Sequence, residues 1–443
     1  MNRNRVNKKR MGRARVLSRA AAGMLAAALC FQPMTALAGP AGDSSLTSAS
    51  SNAGPGGGSG SSNSGSTGSS GGSTAVSNGS VSAVTSGLGV YRVTENEGIG
   101  AIARGVDVSY WQQNVNWSQV ASDNVQFAML APRFRGNVDP FFAMNAANAS
   151  QAGLRLGAYI YSYATSVEMA QQEADFVLNL IKDYPISFPV VFDAEDANTL
   201  GTLTQSQVSD VINAFCKRIQ DAGYYPMVYA NEYWIANKID MSKISYDIWV
   251  AKYQQKYTYS KTSMWQASNT GSVKGVNGNV DIDYLYKDYT QIIPGNTWRT
   301  IAGNRYYYQN HVMQKAAWIN DGQNWYYMNA AGNPSTGWLE LSGKKYYLEA
   351  DGHMITGWKT LDGGWRYFDA SGEQATGWRA VDGSWYFMAD NGLMQTGWLE
   401  TGGKKYYLNA SGAMQAGWQN LGGSWYYFDG SGAMTTGWEG VGG

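Results

Sequence analysis

Tryptophan recurs every 20 residues through the last third of this 443-residue chain. Seven residues after each of the first seven tryptophans comes an aromatic block, such as Trp425 to Phe428, and then a turn that contains Gly. Each unit is too small to bury its own aromatic face, so neighbouring units must stack. Residues 296–443 are therefore predicted to form an all-β solenoid of stacked hairpin repeats. The last unit is incomplete, and we expect the natural chain to continue past Gly443. The repeated positions are Trp298, Trp318, Trp338, Trp358, Trp378, Trp398, Trp418 and Trp438.

Residues 1–38 have the organisation of a signal peptide. Eight Lys or Arg residues precede an apolar run from Ala20 to Phe31, and a cleavage site of the A-x-A type ends at Ala38. The run is about a dozen residues, against the roughly 20 that cross a bilayer, so no membrane span is expected after processing. Residues 39–86 are rich in Gly and Ser and are predicted to be a flexible linker. We therefore expect a secreted protein.

Processing changes both the charge and the cysteine content of the chain. The 33 basic and 33 acidic residues become 25 against 33 once the signal peptide is removed, a net charge near −8. Such a charge argues against a nucleic-acid partner. Cys216 then remains without a second cysteine, so no internal disulfide is expected.

Residues 87–290 have the composition of one globular domain. Helices are predicted over residues 166–184 and 204–222, the second opening with a capping box at Thr204. Strands alternating with helices predict an α/β fold with a mostly parallel sheet, open or closed into a barrel. In such folds the ligand site lies at the carboxyl ends of the strands. The predicted strands are residues 105–109, 127–131, 157–163, 188–193, 226–230, 247–252 and 264–267.

The predicted globular domain contains no histidine, because His311 and His353 both belong to the repeats. This argues against Ser-His-Asp and Cys-His catalysis and against zinc bound by histidine. Carboxylate chemistry of the kind that glycosidases use remains open.

The densest group of candidate carboxylates follows an apolar strand that runs into Asp193 and Glu195. Residues two apart on a strand face the same side, so both side chains are predicted to project into the mouth of the sheet, with Asp196 facing away. Two like charges at this distance raise at least one pKa, which gives a protonated acid beside an ionised base. Asp107 ends the first strand, and Asp281 and Asp283 follow the last one; each of these acids also fits a turn or a solvated edge.

Several aromatic residues occupy predicted strands or strand ends. They fit the lining of a sugar cleft, and for each one packing in the core is an equal alternative. These residues are Tyr161, Tyr163, Tyr229, Trp249 and Trp265.

Residues from about Gly105 to Tyr289 resemble glycoside hydrolase family 25, the lysozymes that include bacterial autolysins and phage endolysins. The resemblance implies an irregular TIM-like β/α barrel, hydrolysis of the β-1,4 bond between N-acetylmuramic acid and N-acetylglucosamine, and no metal or organic cofactor. Its motifs are Gly105 to Ser109, Asp139 to Phe142, Ala152-Gly153, Gly157 to Tyr159, the pair Asp193 and Glu195, and Val280-Asp281.

The resemblance also implies roles for the acids. Glu195 matches the general acid/base, and Asp193 matches the carboxylate that orients or charge-stabilises the substrate's N-acetyl group. Asp107 and Asp281 match the flanking acids that shape the site. Asp283 stands where the family commonly has Asn, so we assign the flanking role to Asp281 and count Asp283 among the candidate substrate-binding residues. The choice between the acetamido group and a direct nucleophile stays open.

The repeats resemble the choline-binding or cell-wall-binding repeats of Gram-positive surface proteins and clostridial toxins. In the choline-binding form, aromatic side chains of successive hairpins enclose a quaternary ammonium. A cation at the second position of such a cage, as with Arg305, Lys345 and Lys405, is expected to repel choline. Three alternatives remain for these aromatics: a solenoid core alone, a choline site, or a site for another wall polymer. The candidate ligand-binding residues are Trp358, Trp365, Trp378, Trp385, Trp418 and Trp425.

Together these features predict a secreted, wall-associated hydrolase that cleaves peptidoglycan glycan strands. The repeats would hold it to a wall polymer such as choline-substituted teichoic acid. Two alternatives are an inactive surface adhesin that only binds glycan, and a hydrolase of another N-acetyl sugar polymer such as chitin.

Overall fold

The computed structural model describes residues 82–93, 100–253 and 255–437. The predicted signal peptide and residues 39–81 of the predicted linker lie outside this range. The end of the linker prediction is corrected, because Ser82–Ser86 (β1) pairs with Gly89–Val93 (β2) in an antiparallel hairpin. Tyr91 of β2 is fully buried in the main hydrophobic core, so this hairpin is part of the folded domain.

A closed barrel of eight strands forms the centre of the domain. Adjacent strands are parallel except around the last one, which is antiparallel to both of its neighbours. The prediction of a mostly parallel α/β barrel is thereby confirmed. Its strands are Ala103–Val108 (β3), Phe127–Leu130 (β4), Arg155–Tyr161 (β7), Ile186–Asp193 (β8), Pro226–Asn231 (β9), Asp247–Ala251 (β10), Thr262–Gly271 (β11) and Val280–Leu285 (β12), with a small hairpin of Arg133–Phe134 (β5) and Asn137–Val138 (β6) after β4.

The closing strand β12 is where the sequence analysis needs correction. Asp281 and Asp283 were placed after the last strand, but both lie within β12, which joins β11 to β3. Apolar and acidic residues alternate along β12, which is the pattern of a strand with two different faces. The acids occupy the inner face, while Val280, Ile282 and Tyr284 on the other face are buried in the main hydrophobic core.

Helices cover the outside of the barrel. The two helices predicted from the sequence are confirmed as α3 and α4, and Thr204 and Gln207 form the predicted capping box of α4. None of the helices in the described ranges is long and apolar enough to span a bilayer. The α-helices are Trp117–Ser122 (α1), Phe142–Gln151 (α2), Val167–Ile181 (α3), Gln205–Asp221 (α4) and Glu232–Asn237 (α5), and single 3-10 turns lie at Tyr110–Gln112, Leu200–Thr202, Met241–Lys243 and Tyr289–Gln291.

The interior of the barrel is filled below its carboxyl end. Phe127, Phe188 and Trp249 belong to one buried cluster, and the rings of Phe127 and Phe188 stack with centroids 5.1 Å apart. Gly105 faces this buried cluster, and a Cβ at its position would lie 2.2 Å from the ring of Phe127. The filled floor leaves open space at the carboxyl ends of the parallel strands, two residues beyond Gly105, where Asp107 lies.

The repeats form a series of separate small sheets, one per unit, which are numbered here as hairpins one to seven from the amino end. Each repeated Trp from Trp298 to Trp418 pairs across its own hairpin with an aromatic residue nine positions later, as Trp338 does with Tyr347. The strands are Thr297–Ile301 (β13), Asn304–Gln309 (β14), Val312–Met313 (β15), Ala317–Asn320 (β16), Trp325–Met328 (β17), Gly337–Leu341 (β18), Lys344–Leu348 (β19), Gly357–Leu361 (β20), Gly364–Phe368 (β21), Gly377–Val381 (β22), Ser384–Met388 (β23), Gly397–Thr401 (β24), Lys404–Leu408 (β25), Gly417–Leu421 (β26) and Ser424–Phe428 (β27).

A single row of side chains forms the core of the solenoid. It consists of the last residue of the second strand in successive hairpins, and each of these side chains is fully buried. Several of the repeated tryptophans stay exposed, with Trp338 at 41% and Trp418 at 55% of their surface. The tryptophans are therefore not simply the core. The row runs through Met328, Leu348, Phe368, Met388, Leu408 and Phe428.

The first hairpin packs on the barrel through Arg299, which is 1% exposed. Its guanidinium lies between the rings of Tyr224 and Tyr308, at 3.9 and 4.3 Å from their centroids, and donates a hydrogen bond to the carbonyl of Ile186. Ile186 begins β8 and Tyr224 precedes β9, so the tail is attached at the amino ends of the strands. The carboxyl ends remain uncovered by this contact.

Candidate active site

A cavity of about 410 Å³ opens at the carboxyl ends of the barrel strands. Four of the predicted acids line it: Asp107, Asp193, Glu195 and Asp281. The structure thus brings together residues that are up to 174 positions apart in the chain, from Asp107 to Asp281. Asp107 and Asp193 are 5% exposed, while Glu195 and Asp281 are half-buried.

Strand register positions these acids. Asp107 of β3 and Asp281 of β12 are direct partners across the antiparallel pair that closes the barrel. Asp193 ends β8, and its partners on the two neighbouring strands are Tyr161 and Tyr229. Asp193 therefore lies between two tyrosines, and the pair of Asp107 and Asp281 lies at another part of the same rim.

Burial and mutual repulsion raise the pKa values of the acids. The pKa of Asp193 lies well above its usual range because of desolvation and then the charge of Glu195, and that of Asp107 does so through desolvation and the charge of Asp281. Desolvation raises the pKa of Asp281 to about 6. The pKa of Glu195 is raised by desolvation and then by Asp281, so the site favours a protonated carboxyl group near neutrality.

Asp196 is turned away from the cavity. Its side chain accepts hydrogen bonds from the backbone of Asn198 and Thr199 and from the hydroxyl of Tyr161 at 3.1 Å. This carboxylate anchors the loop after β8. Asp193 differs in that its Oδ1 is buried without a hydrogen-bond partner among the described residues.

Gln266 is a site residue that sequence reasoning missed. Its Nε2 donates to Asp107 Oδ2 at 2.7 Å, and its Oε1 accepts from the hydroxyls of Tyr229 and Tyr253, both at 2.8 Å. It connects the first strand of the barrel to two tyrosines of the cavity wall. The available signal was a polar residue that follows Met264 and Trp265 in the predicted strand 264–267, whose other residues are apolar.

Two residues predicted to bind substrate do not line the cavity. Asp283 is fully buried and accepts a hydrogen bond from Trp249 Nε1 at 3.0 Å. Because β12 runs opposite to the parallel strands, each step along it leads deeper, so Asp281 reaches the cavity and Asp283 lies below it. Trp265 points to the other side of β11 from Gln266, is 9% exposed, and packs against Tyr284 in the outer core.

The other aromatic candidates do line the cavity, namely Tyr161, Tyr163, Tyr229 and Trp249. The hairpin of β5 and β6 extends this wall, since Phe134 stacks on Tyr110 with centroids 4.0 Å apart. Arg133 holds the wall in place through an ion pair with the buried Glu173 at 2.7 Å. Sugar rings commonly pack on aromatic surfaces of this kind, with polar groups at the edges.

A second set of candidate sites lies between successive hairpins of the tail. At the fourth hairpin, the ring of Trp358 is 6.4 Å from Trp365, 5.1 Å from Tyr367 and 4.8 Å from Tyr386 of the next hairpin. The same arrangement recurs around Trp378, whose ring is 4.9 Å from Tyr406. Trp365 and Trp385 are about half exposed, at 51% and 47%.

The remaining tail candidates belong to the seventh hairpin. Trp418 and Trp425 are exposed, at 55% and 64%, and Trp418 contacts Tyr427 with ring centroids 5.1 Å apart. At the first hairpin, Arg305 lies 4.2 Å from the ring centroid of Trp298, so a cation of the chain itself covers that ring.

Comparison with known proteins agrees with these observations. A model of glycosyl hydrolases family 25 matches residues 106–276, which include Asp107, Asp193 and Glu195 but end before Asp281. Choline-binding repeat models match residues 335–376 and 375–416, and a putative cell wall binding repeat matches 317–333 and 416–434.

Individual relatives cover the barrel. The uncharacterized protein YegX of Escherichia coli O157:H7 is 31% identical over 189 residues, which are 40% of this chain and 68% of YegX. Lysozyme M1 of Streptomyces globisporus is 29% identical over 195 residues, 40% of this chain and 66% of that protein. Each match thus spans about two thirds of the relative.

Among solved structures, the pneumococcal cell wall endolysin from phage Cp-1 complexed with choline is 22% identical, with a TM-score of 0.35, over 70% of this chain and 94% of that one. The resemblance seen in the sequence is confirmed by the family models and by the identity to YegX. This chain belongs to glycosyl hydrolases family 25, as a glycoside hydrolase of the lysozyme group whose barrel is followed by choline-binding and cell-wall-binding type repeats.

Proposed function

We propose that this chain is a secreted muramidase that cleaves the β-1,4 bond between N-acetylmuramic acid and N-acetylglucosamine in peptidoglycan. The observation that carries the proposal is the contrast between two acids in one cavity. Asp193 is almost fully buried with one free carboxylate oxygen, while Glu195 is half-buried and open to a substrate. Two carboxyl groups in unlike surroundings are what acid-catalysed glycoside hydrolysis requires.

Glu195 acts first as the general acid. Its raised pKa favours the protonated form, from which Glu195 donates a proton to the glycosidic oxygen as the bond to the anomeric carbon breaks. In the second half of the reaction the carboxylate of Glu195 takes a proton from water, which attacks the anomeric carbon. Glu195 is then protonated again.

Asp193 supports an attack by the substrate's own acetamido group. Ionised Asp193 accepts a hydrogen bond at Oδ1 from the acetamido N–H while the acetamido oxygen bonds to the anomeric carbon. Burial and the charge of Glu195 raise the pKa of Asp193, but Glu195 is neutral as the acid, and the cation that forms favours the ionised state of Asp193. Tyr161 and Tyr229, its partners on the neighbouring strands, confine the group between them. A role of Asp193 as a direct nucleophile is less well supported, because its side chain is almost fully buried.

The test is digestion of purified peptidoglycan by the mature protein and by Glu195→Gln, with mass spectrometry of the fragments. We expect muropeptides with reducing-end N-acetylmuramic acid, and a loss of about 10²- to 10⁴-fold in the variant. Glu168→Gln, on the exposed start of α3, is the matched control and should keep full activity. Equal release by both variants would show that Glu195 is the wrong acid.

Two other outcomes decide between the alternatives. If neither the wild-type protein nor the control releases fragments but both bind the glycan, the protein is an adhesin. If chitin oligomers are cut faster than peptidoglycan, the substrate is another N-acetyl sugar polymer.

We propose further that the tail anchors the enzyme to the wall by binding quaternary ammonium groups, such as those of choline-substituted teichoic acid. The support is the set of open aromatic sites at Trp358 and Trp378, together with the one formed by Trp318, Trp325 and Tyr346. Choline titration followed by tryptophan fluorescence tests this. A signal from the wild-type protein that is weakened by Trp365→Ala supports it, and a flat titration contradicts it.

A further inference from the structure

The sites between hairpins follow a rule with one exception. Each site combines a repeated Trp, the side chain seven residues later, and a side chain 28 residues later that crosses over from the next hairpin. At the third hairpin, both of the later positions carry cations. Trp338 is followed by Lys345, and the crossing position holds Arg366 in place of the Tyr found at the other described sites.

These residues form a cavity of about 460 Å³ that differs in chemistry from the aromatic sites. The Arg366 side chain is only 8% exposed and lies 5.1 Å over the ring of Trp338. One guanidinium nitrogen donates to the carbonyl of Asn391, and another lies 3.3 Å from Asp362 Oδ2. Nε of Arg366 is buried and has no hydrogen-bond partner among the described residues.

The charges around the cavity leave a donor available for a ligand. Asp362 is already engaged by Arg366 and by Trp338 Nε1, at 3.3 Å each, and its side chain is 61% exposed at the edge. Glu340 also lines the cavity, directly opposite Lys345 in the hairpin register. Lys344 pairs outward with Glu373, whereas Lys345 faces the cavity.

We propose that this cavity binds an anionic phosphate group, with Lys345 as the donor, the buried guanidinium of Arg366 as a fixed positive charge, and the ring of Trp338 as one wall. Guanidinium and ammonium groups bind phosphate oxygens through charge-assisted hydrogen bonds. The neighbouring aromatic sites take the cation of the same polymer. The tail would thus bind both the negative and the positive groups of a polymer that carries phosphate and quaternary ammonium. This inference rests on the wall-binding role proposed above.

The test uses the full mature chain and glycerol phosphate as the probe, with binding measured by phosphorus NMR titration. We expect saturable binding that weakens about tenfold or more in Arg366→Gln and Lys345→Gln. The matched control is Lys405→Gln. Lys405 holds the same position in the sixth hairpin, but its crossing residue is Tyr426. This control should bind like the wild type.

Lys345 is exposed, so its replacement separates loss of a donor from loss of folding, which Arg366→Gln alone would not do. Equal weakening by Lys345→Gln and Lys405→Gln would overturn the proposal, because it would indicate nonspecific attraction. So would the absence of saturable phosphate binding. A parallel choline titration reports on the aromatic sites, so a failure of choline binding contradicts the tail function without deciding the phosphate site.

Discussion

The barrel and the repeats use the same residue types in opposite ways. Trp249 in the barrel is 1% exposed and gives its Nε1 hydrogen to the buried Asp283, whereas Trp365 in the fourth hairpin is 51% exposed and faces solvent. A closed barrel removes polar groups from water and so raises the pKa of its acids. A stack of two-stranded hairpins has little interior, and its aromatic faces remain available to ligands. Chemistry is therefore concentrated in one cavity, while binding is distributed along the tail.

After Glu195→Gln, the largest effect is expected from a change at Asp193, which is the more deeply buried of the two acids. Asp193→Asn should lower the rate of glycan cleavage by about 10²- to 10³-fold, because a neutral amide cannot stabilise the positive charge that develops. Initial rates on peptidoglycan check this. Asp210→Asn, on the exposed face of α4, should leave the rate unchanged. A rate within threefold of wild type in Asp193→Asn would mean that this buried charge does not contribute to the reaction.

The next prediction compares the core of the barrel with the core of the solenoid through the same substitution, Leu→Ala. Leu156 in β7 and Leu408 in the sixth hairpin are both fully buried, so Leu→Ala at either site should cost about 2–5 kcal/mol. Leu156→Ala should lower the temperature at which activity is lost. Leu408→Ala should instead increase hydrogen exchange in adjacent hairpins only, because repeats contact just their neighbours. If both variants lower the inactivation temperature equally, the two modules unfold as one unit.

The pH dependence of cleavage tests whether the acids are coupled within the cavity. The charge of Asp281 raises the pKa of Glu195, so Asp281→Asn should lower that pKa. Glu195 must be protonated to act as the acid, and activity falls as pH rises through its pKa. The alkaline limb of the rate profile should therefore move to lower pH. Glu340→Gln in the tail should leave the limb in place, and an unmoved limb in Asp281→Asn would argue against coupling.

The smallest effect on stability is expected at an exposed tryptophan of the tail. Trp365→Ala removes one wall of an open site and should weaken choline binding by about 0.5–2 kcal/mol while changing the unfolding free energy little. Trp249→Ala in the barrel should cost about 3–5 kcal/mol of stability. Calorimetric titration and thermal unfolding measure the two quantities. A large loss of stability in Trp365→Ala would mean that the aromatics serve mainly as solenoid core.

Much of the fold follows from patterns that are local in the sequence. The apolar face of α3, with Ala170, Ala174 and Val177 all fully buried, is visible as a helical period. The hairpin spacing is equally direct. Strand β1 was absorbed into the linker prediction, because Ser and Thr make up most of it and because its partner β2 is held by the burial of Tyr91 in a core built elsewhere.

The candidate site was harder to predict in detail. The strand-end motif identified Asp193 and Glu195 because the two acids are close in sequence. Both of them line the cavity. Gln266 was missed because its partner, Asp107, is 159 residues away. The sequence left open whether Trp265 lines the cleft or packs in the core, because the face on which a strand residue lies depends on the register of the whole strand.

By itself, the sequence determined the two modules, the repeat spacing and the family, and it excluded histidine chemistry from the predicted globular domain. The resemblance favoured Asp281 over Asp283, but only the tertiary structure gives the reason why Asp281 reaches the cavity, which is the antiparallel direction of β12. The tertiary structure also decided that Arg366 enters the site of Trp338, a contact between side chains 28 residues apart. The physical reason is common to both: periodicity records the neighbours within one element, whereas closure of a barrel and stacking of hairpins create neighbours that no single element encodes.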